Sequence, residues 1–148
     1  MTAEEVYVDP SALARLYIHQ AGSREISAWR AKLGGALQVT HHGRTEVINA
    51  ICRSAFLGHL DNDGLAEALA DFTADFASGR LDQADLLWRA ALNRAAELSR
   101  SHTPKLGTRS LDVLHVACAL ELKLRHFLTF DQGQQKLAVA MGLKLVQV

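Results

Sequence analysis

Cysteine, proline and net charge are all scarce in this 148-residue chain. Its two cysteines, Cys52 and Cys118, stand far apart on apolar helical patterns. That placement makes neither a disulfide framework nor a thiolate metal motif, so both are expected as buried free thiols. The sixteen basic and sixteen acidic residues cancel, which excludes the uniform field of a nonspecific nucleic-acid coat. A neutral total still permits a nucleic-acid substrate, because acids gathered in one site leave the remaining surface basic. No apolar run reaches the ~18 residues that a membrane span needs. The opening MTAEEVYVDP lacks the basic and apolar regions of a signal peptide. A cytoplasmic protein with no membrane association is the expectation. Neither an internal repeat nor a low-complexity tract is present. Hydrophobic residues, at 49%, are abundant enough for one sizeable core, so a single domain over residues 1–148 is expected.

Short β-forming runs alternate with helical patterns along the chain. Val6-Tyr7-Val8 reads as a strand that ends at Asp9, with Pro10 suited to the first helical position beyond it. One helix carries Leu13, Leu16 and Tyr17, and a second runs through Ile26, Trp29 and Leu33 to Gly34-Gly35. Leu37–Thr40 reads as a strand, followed after His41-His42-Gly43 by a helix from about Arg44 to Leu57. Another helix starts at Asn62 and ends near Gly79; Arg80-Leu81-Asp82 fits an edge strand, and a long helix is expected from about Gln83 to Arg100. Ser101–Gly107 is loop by composition. A strand over Arg125–Phe130, a helix from Asp131 to Gly142 and a final strand at Leu143–Val146 close the chain. The alternation predicts a parallel sheet covered by helices on both faces.

The segment TRSLDVLHVACALEL, Thr108 to Leu122, is apolar around most of its helical circumference and therefore reads as buried on several sides. Asp112 shares a face with His115, Val116 and Ala119, with no Lys or Arg three or four positions on. An unpaired carboxylate there needs hydrogen bonds, a counter-charge or a metal ion, unless the helix dipole alone satisfies it. Ligands of open parallel sheets bind beyond the carboxyl ends of the strands. Asp9 and Asp131 stand at the ends of the first and fourth expected strands, and Glu46 and Asp112 lie early in helices. Each acid alone also reads as a cap or a first-turn residue. Four together repel one another and call for a cation. Carboxylate oxygens suit Mg²⁺ or Mn²⁺, and such a site can activate water for phosphodiester cleavage.

The segments YVDPSAL, TEVINAICR, RSLDVLHVACAL and FLTFDQGQQKLAVAMGL, in that order and spacing, resemble the PIN domain, and more narrowly the VapC-type toxin ribonucleases of bacterial toxin–antitoxin pairs. The resemblance spans nearly the whole chain. It implies a three-layer α/β/α sandwich with a mainly parallel four- to five-stranded sheet. It also implies Mg²⁺- or Mn²⁺-dependent hydrolysis of RNA by a carboxylate quartet, carried over here as Asp9, Glu46, Asp112 and Asp131. An antitoxin protein in the active-site groove and a homodimer are implied as partners. Ser11 and Thr129 match the small hydroxyl positions beside the first and last acids, and Asn49 falls one turn after Glu46; these three are expected to orient carboxylates or waters. Family members often carry one more acid after the last, where this chain has Gln132, Gln134 and Gln135.

Arg109 is placed to reach a substrate phosphate or brace the carboxylates, with Arg15, Arg44, Arg53 and Lys105 as a possible basic rim. None of the seven histidines forms HExxH, and His41-His42 read as a loop or strand end, not a zinc site. His115 reads as a hydrogen-bonded core histidine. Trp29 and Trp88 read as core or interface residues. Two other readings stay in view: a non-toxin PIN-type RNA-processing nuclease, and a catalytically silent binding module. An aspartyl phosphoryl acceptor at Asp9 fits poorly, because Ser11 stands where a second Asp is wanted and LTFD holds no Lys.

Overall fold

A computed structural model describes residues 1–148. Five short strands, β1 (Val6–Val8), β2 (Leu37–Thr40), β3 (Leu81–Ala84), β4 (His126–Leu128) and β5 (Lys144–Leu145), are separated by helices at every step. All paired strands are parallel, as helical crossovers require. β1 pairs with β4 and β4 with β5, while β2 pairs with β3 as a separate ladder. β2 packs beside β1, so the order across the layer is β3-β2-β1-β4-β5. The register places Val6, Tyr7 and Val8 opposite His126, Phe127 and Leu128.

Residue alternation along β1 divides the core in two. Val6 and Val8 face one apolar cluster with Leu13, Ile26, Leu37, Val39, Ile51 and Phe72. Tyr7 faces the other, with Ala91, Leu98, Val113, Phe127 and Leu137. The first cluster is covered by α1 (Pro10–Leu13), α2 (Ser23–Ala31), α3 (His41–Phe56) and α4 (Asn62–Ala77). The second lies beneath α5 (Trp88–Leu106), α6 (Ser110–Glu121) and α7 (Gln132–Ala140). β1, buried on both faces, accordingly reads as a continuous apolar run. The result is the expected three-layer α/β/α sandwich. In α6, every residue from Val113 to Ala119 is buried, as its nearly all-apolar pattern demands.

Four local expectations are corrected. α3 begins at His41, not Arg44, because the buried Thr40 hydroxyl accepts from the Gly43 amide at 2.9 Å and caps it. Gly43 suits that first turn, since a Cβ there would stand 3.1 Å from Thr40 Oγ1 and 3.5 Å from Pro10 Cγ. α5 starts at Trp88, because Gln83 and Ala84 are drawn into β3 by pairing with Val39 and Thr40. The same helix continues through Ser101–Leu106 with Pro104 inside its last turn, ending at Gly107 with φ 64°. The Gly107 amide donates to Thr103 O at 2.8 Å, a left-handed cap that stops the helix. Of the two thiols, Cys118 is buried as expected, but Cys52 is exposed on the outer face of α3. No helix is long and apolar enough to cross a membrane.

Candidate active site

The pairing of β1 with β4 brings Asp9 and Asp131 to the same edge of the sheet, since each follows the end of its strand. The Asp9 amide donates to Leu128 O at 2.9 Å, continuing the ladder one step past β1. Asp9 is also the N-cap of α1, and Asp131 the N-cap of α7. Asp112 stands in the first turn of α6, and Glu46 in the second turn of α3. All four carboxylates line one open cleft of about 910 Å³. Asp9 and Asp131 thus cap their helices and line the cleft at the same time.

Asp9 is almost fully buried and held by three donors. Its Oδ2 accepts from the Ser11 amide at 3.1 Å and from the Ser11 hydroxyl, and its Oδ1 accepts from Gln134 Nε2 at 2.9 Å. Asp131 accepts from the Gln134 amide at 2.7 Å, while its own amide donates to Thr129 Oγ1 at 3.1 Å. Thr129 is buried behind the last acid, where it fixes the turn. Ser11 and Asn49 line the cleft.

Gln134 was visible in the sequence only as a missing acid. It is wholly buried, and its Nε2 also donates to the main-chain oxygen of Asp112 at 3.1 Å. One amide side chain thus ties Asp9 to α6, while its main chain holds Asp131. Its position at the third residue of α7 was the one available signal, but only tertiary packing shows what it reaches.

Asp112 is the strained member of the set. Burial is the largest influence raising its carboxyl above the usual range, followed by the charges of Asp9 and Asp131. Arg109 opposes them weakly, with Nε 3.8 Å from Oδ2 and its side chain 85% exposed. Glu46 is held differently. Its Oε2 meets Nε2 of the buried His115 at 2.5 Å, and His115 Nδ1 meets the Tyr7 hydroxyl at 2.7 Å. Burial pushes the Tyr7 phenol well above its ordinary value, so it stays protonated and neutral. His115 is the hydrogen-bonded core histidine expected, with Glu46 as a partner the sequence did not reveal.

The expected basic rim is smaller than drawn. Arg53 and Arg109 line the cleft, with His19 and His59. Arg15 instead stacks over Phe130 at 4.0 Å, and Arg44 lies over the Phe76 ring at 5.7 Å. Both spend their guanidinium on aromatic faces, and Lys105 lies outside the cleft lining. The histidine reading is corrected too, because His42 is helical and points along α3 toward Glu46, with Nε2 3.6 Å from Oε1.

The donor set fits a hard divalent cation. Its oxygens are carboxylates, and a cation would offset both the burial and the neighbouring charges of Asp9 and Asp131 that raise the Asp112 carboxyl.

Fold and site together define an α/β sandwich with an acidic cleft at the carboxyl edge of its parallel strands. The chain belongs to the PIN domain family, whose sequence profile matches residues 6–140. PIN domains are generally nucleases and generally use divalent metal ions. Among solved structures, the chain is similar to PAE2754 from Pyrobaculum aerophilum, with a TM-score of 0.56 and 19% identity over 96% of this chain and 89% of that one. That likeness is one of fold. No curated protein matches the chain in sequence.

Proposed function

We propose that this PIN domain is a Mg²⁺- or Mn²⁺-dependent endoribonuclease acting as the toxin of a type II toxin–antitoxin pair. The observation that carries the nuclease reading is the convergence of Asp9, Glu46, Asp112 and Asp131 on one cleft, with the Asp112 carboxyl raised by burial and then by the charges of Asp9 and Asp131. Asp9, Asp112 and Asp131 would hold the ion, with Glu46 across the cleft from α3. When bound, the ion supplies charge neutralisation at the scissile phosphate and activation of water.

The chain's own residues supply the rest. Ser11 and Gln134 fix both oxygens of Asp9, so that carboxylate meets a ligand without rearranging. Thr129 and the Gln134 amide do the same for the Asp131 turn. Arg109 is free to swing onto a phosphate, because its contact with Asp112 is long and exposed. Arg53 offers a second cation, and Asn49 and Ser54 offer neutral hydrogen-bonding groups along the cleft. The openness of the cleft favours a single strand whose backbone can be gripped without base pairing. The toxin role rests on the sequence resemblance to VapC-type proteins. With it come an antitoxin that covers the cleft, a homodimer and a cytoplasmic setting.

Incubating purified protein with single-stranded RNA in Mg²⁺, in Mn²⁺ and in chelator tests the enzyme. Cleavage in either metal, abolished by chelator and reduced at least 100-fold by Asp112→Asn or Asp9→Asn, is expected. RNA binding without cleavage in both metals would leave a silent PIN-like binding module. Growth arrest on expression that co-expression of a small protein encoded beside this gene relieves would support the toxin role, and unimpaired growth would favour an RNA-processing role.

A further inference from the structure

We infer that His42, Glu46 and His115 form a second, nitrogen-bearing cation site that takes a first-row transition metal of the Zn²⁺ kind. His42 and Glu46 stand four residues apart on α3, so they share one helix face. His115 meets them from α6, on the opposite side of the sheet edge. One ligand atom from each of the three lies within 4.8 Å of the others.

Four features distinguish this cluster from a chance grouping. First, His42 Nε2 is buried with no hydrogen-bond partner, and at 3.6 Å from Glu46 Oε1 it is aimed at the cluster without closing a bond. Second, His115 is held from behind by the Tyr7 hydroxyl on Nδ1, which leaves Nε2 facing Glu46. A metal-binding imidazole commonly has such an outer partner on its other nitrogen. Third, the Trp88 ring meets His42 edge-on at a centroid distance of 6.3 Å, which limits where that imidazole can turn. Fourth, Glu46 and His115 line the cleft, so coordination positions beyond the three side chains open to water or substrate.

The donor chemistry selects the ion. Two imidazoles and one carboxylate suit Zn²⁺ and its first-row neighbours, whereas Mg²⁺ prefers an all-oxygen octahedron. Two donors on a tetrahedral Zn²⁺ stand roughly 3.3 Å apart. His115 Nε2 and Glu46 Oε2, now at 2.5 Å, must therefore separate by about 1 Å on binding. The Glu46 side chain is a quarter exposed and has room to withdraw, while the imidazole behind it is fixed. The site does not depend on nuclease activity, although it engages one of the four acids.

Titrating the metal-stripped full chain with Co²⁺, followed by visible absorbance and Zn²⁺ competition, tests the assignment. One Co²⁺ per chain with intense visible bands is expected, displaced by Zn²⁺ and resistant to a 100-fold excess of Mg²⁺. His42→Ala should weaken Zn²⁺ binding at least tenfold, and Asp131→Asn, which keeps the α7 cap, less than threefold. The absence of Zn²⁺-sensitive bands would overturn the proposal. So would wild-type affinity in His42→Ala, or an equal loss in Asp131→Asn. His42 is the deciding position because it lies at the surface end of the cluster, whereas replacing the buried His115 endangers the fold.

Discussion

Asp112 carries the conflict of this molecule at the residue scale. A carboxylate in the first turn of a helix is favoured by the free amides and the dipole, yet here it is raised by burial, Asp9 and Asp131. Its folded carboxyl therefore titrates above its unfolded value of 3.8. As pH rises from below 3.8, the unfolded chain releases this proton first, and the folded state carries the cost of the charge at neutral pH. Asp112→Asn should accordingly melt at a higher temperature than wild type in chelator at pH 7. That advantage should fade as pH falls below 3.8, where the carboxyl is protonated in both states. Saturating Mg²⁺ should reverse the order, because a ligand stabilises the protein that binds it. Thermal melts by circular dichroism across pH check both signs, and an Asp112→Asn protein less stable than wild type at pH 7 would contradict them.

At the scale of elements, the turn between α2 and β2 depends on one buried cation. Arg30, 3% exposed, donates to the main-chain oxygens of Leu33 at 2.6 Å, Gly35 at 2.8 Å and Arg80 at 3.0 Å. Its guanidinium fork thus joins the end of α2 to the entry of both β2 and β3, a task for which a single ammonium is too compact. Arg30→Met should cost about 3 kcal/mol by stranding three carbonyls, lowering Tm by roughly 6–12 °C. Arg30→Lys should recover only part of the loss. Equal stability of the Met variant in thermal or urea melts would show that water replaces the fork.

For the whole molecule, the three-layer arrangement separates two thiols that look alike in sequence. Cys52 faces solvent on α3, whereas Cys118 is buried in α6, where burial pushes its thiol up to about 11. The thiolate is the reactive form, so folded protein at pH 8 should react rapidly at one cysteine per chain, with the second appearing only in denaturant. Peptide mapping should find the label on Cys52. Fast native labelling of Cys118 would mean that α6 opens readily, contrary to its central place in the second core.

Much of the architecture was legible from period and punctuation. Helix after strand, the apolar α6 segment and the acids at strand ends follow from side-chain spacing, which is local information. Where local signals competed with pairing, they lost: Gln83 and Ala84 look like the start of a helix until β2 stands beside them, and Ser101–Leu106 looks like a loop until α5 continues into its Gly107 cap. The four carboxylates could be named from their positions, because two lie at the ends of strands that must be neighbours in a parallel sheet. What holds them could not. Gln134 reaches Asp9 across 125 residues of sequence, and His115 reaches Glu46 across 69. No period in the chain encodes those distances. The sequence alone determined which acids are present and which edge of the sheet they occupy. Tertiary structure decided that Gln134 bridges Asp9 to α6 and that His42 and His115 flank Glu46, because those partners meet only when the helices of both layers close on the strands.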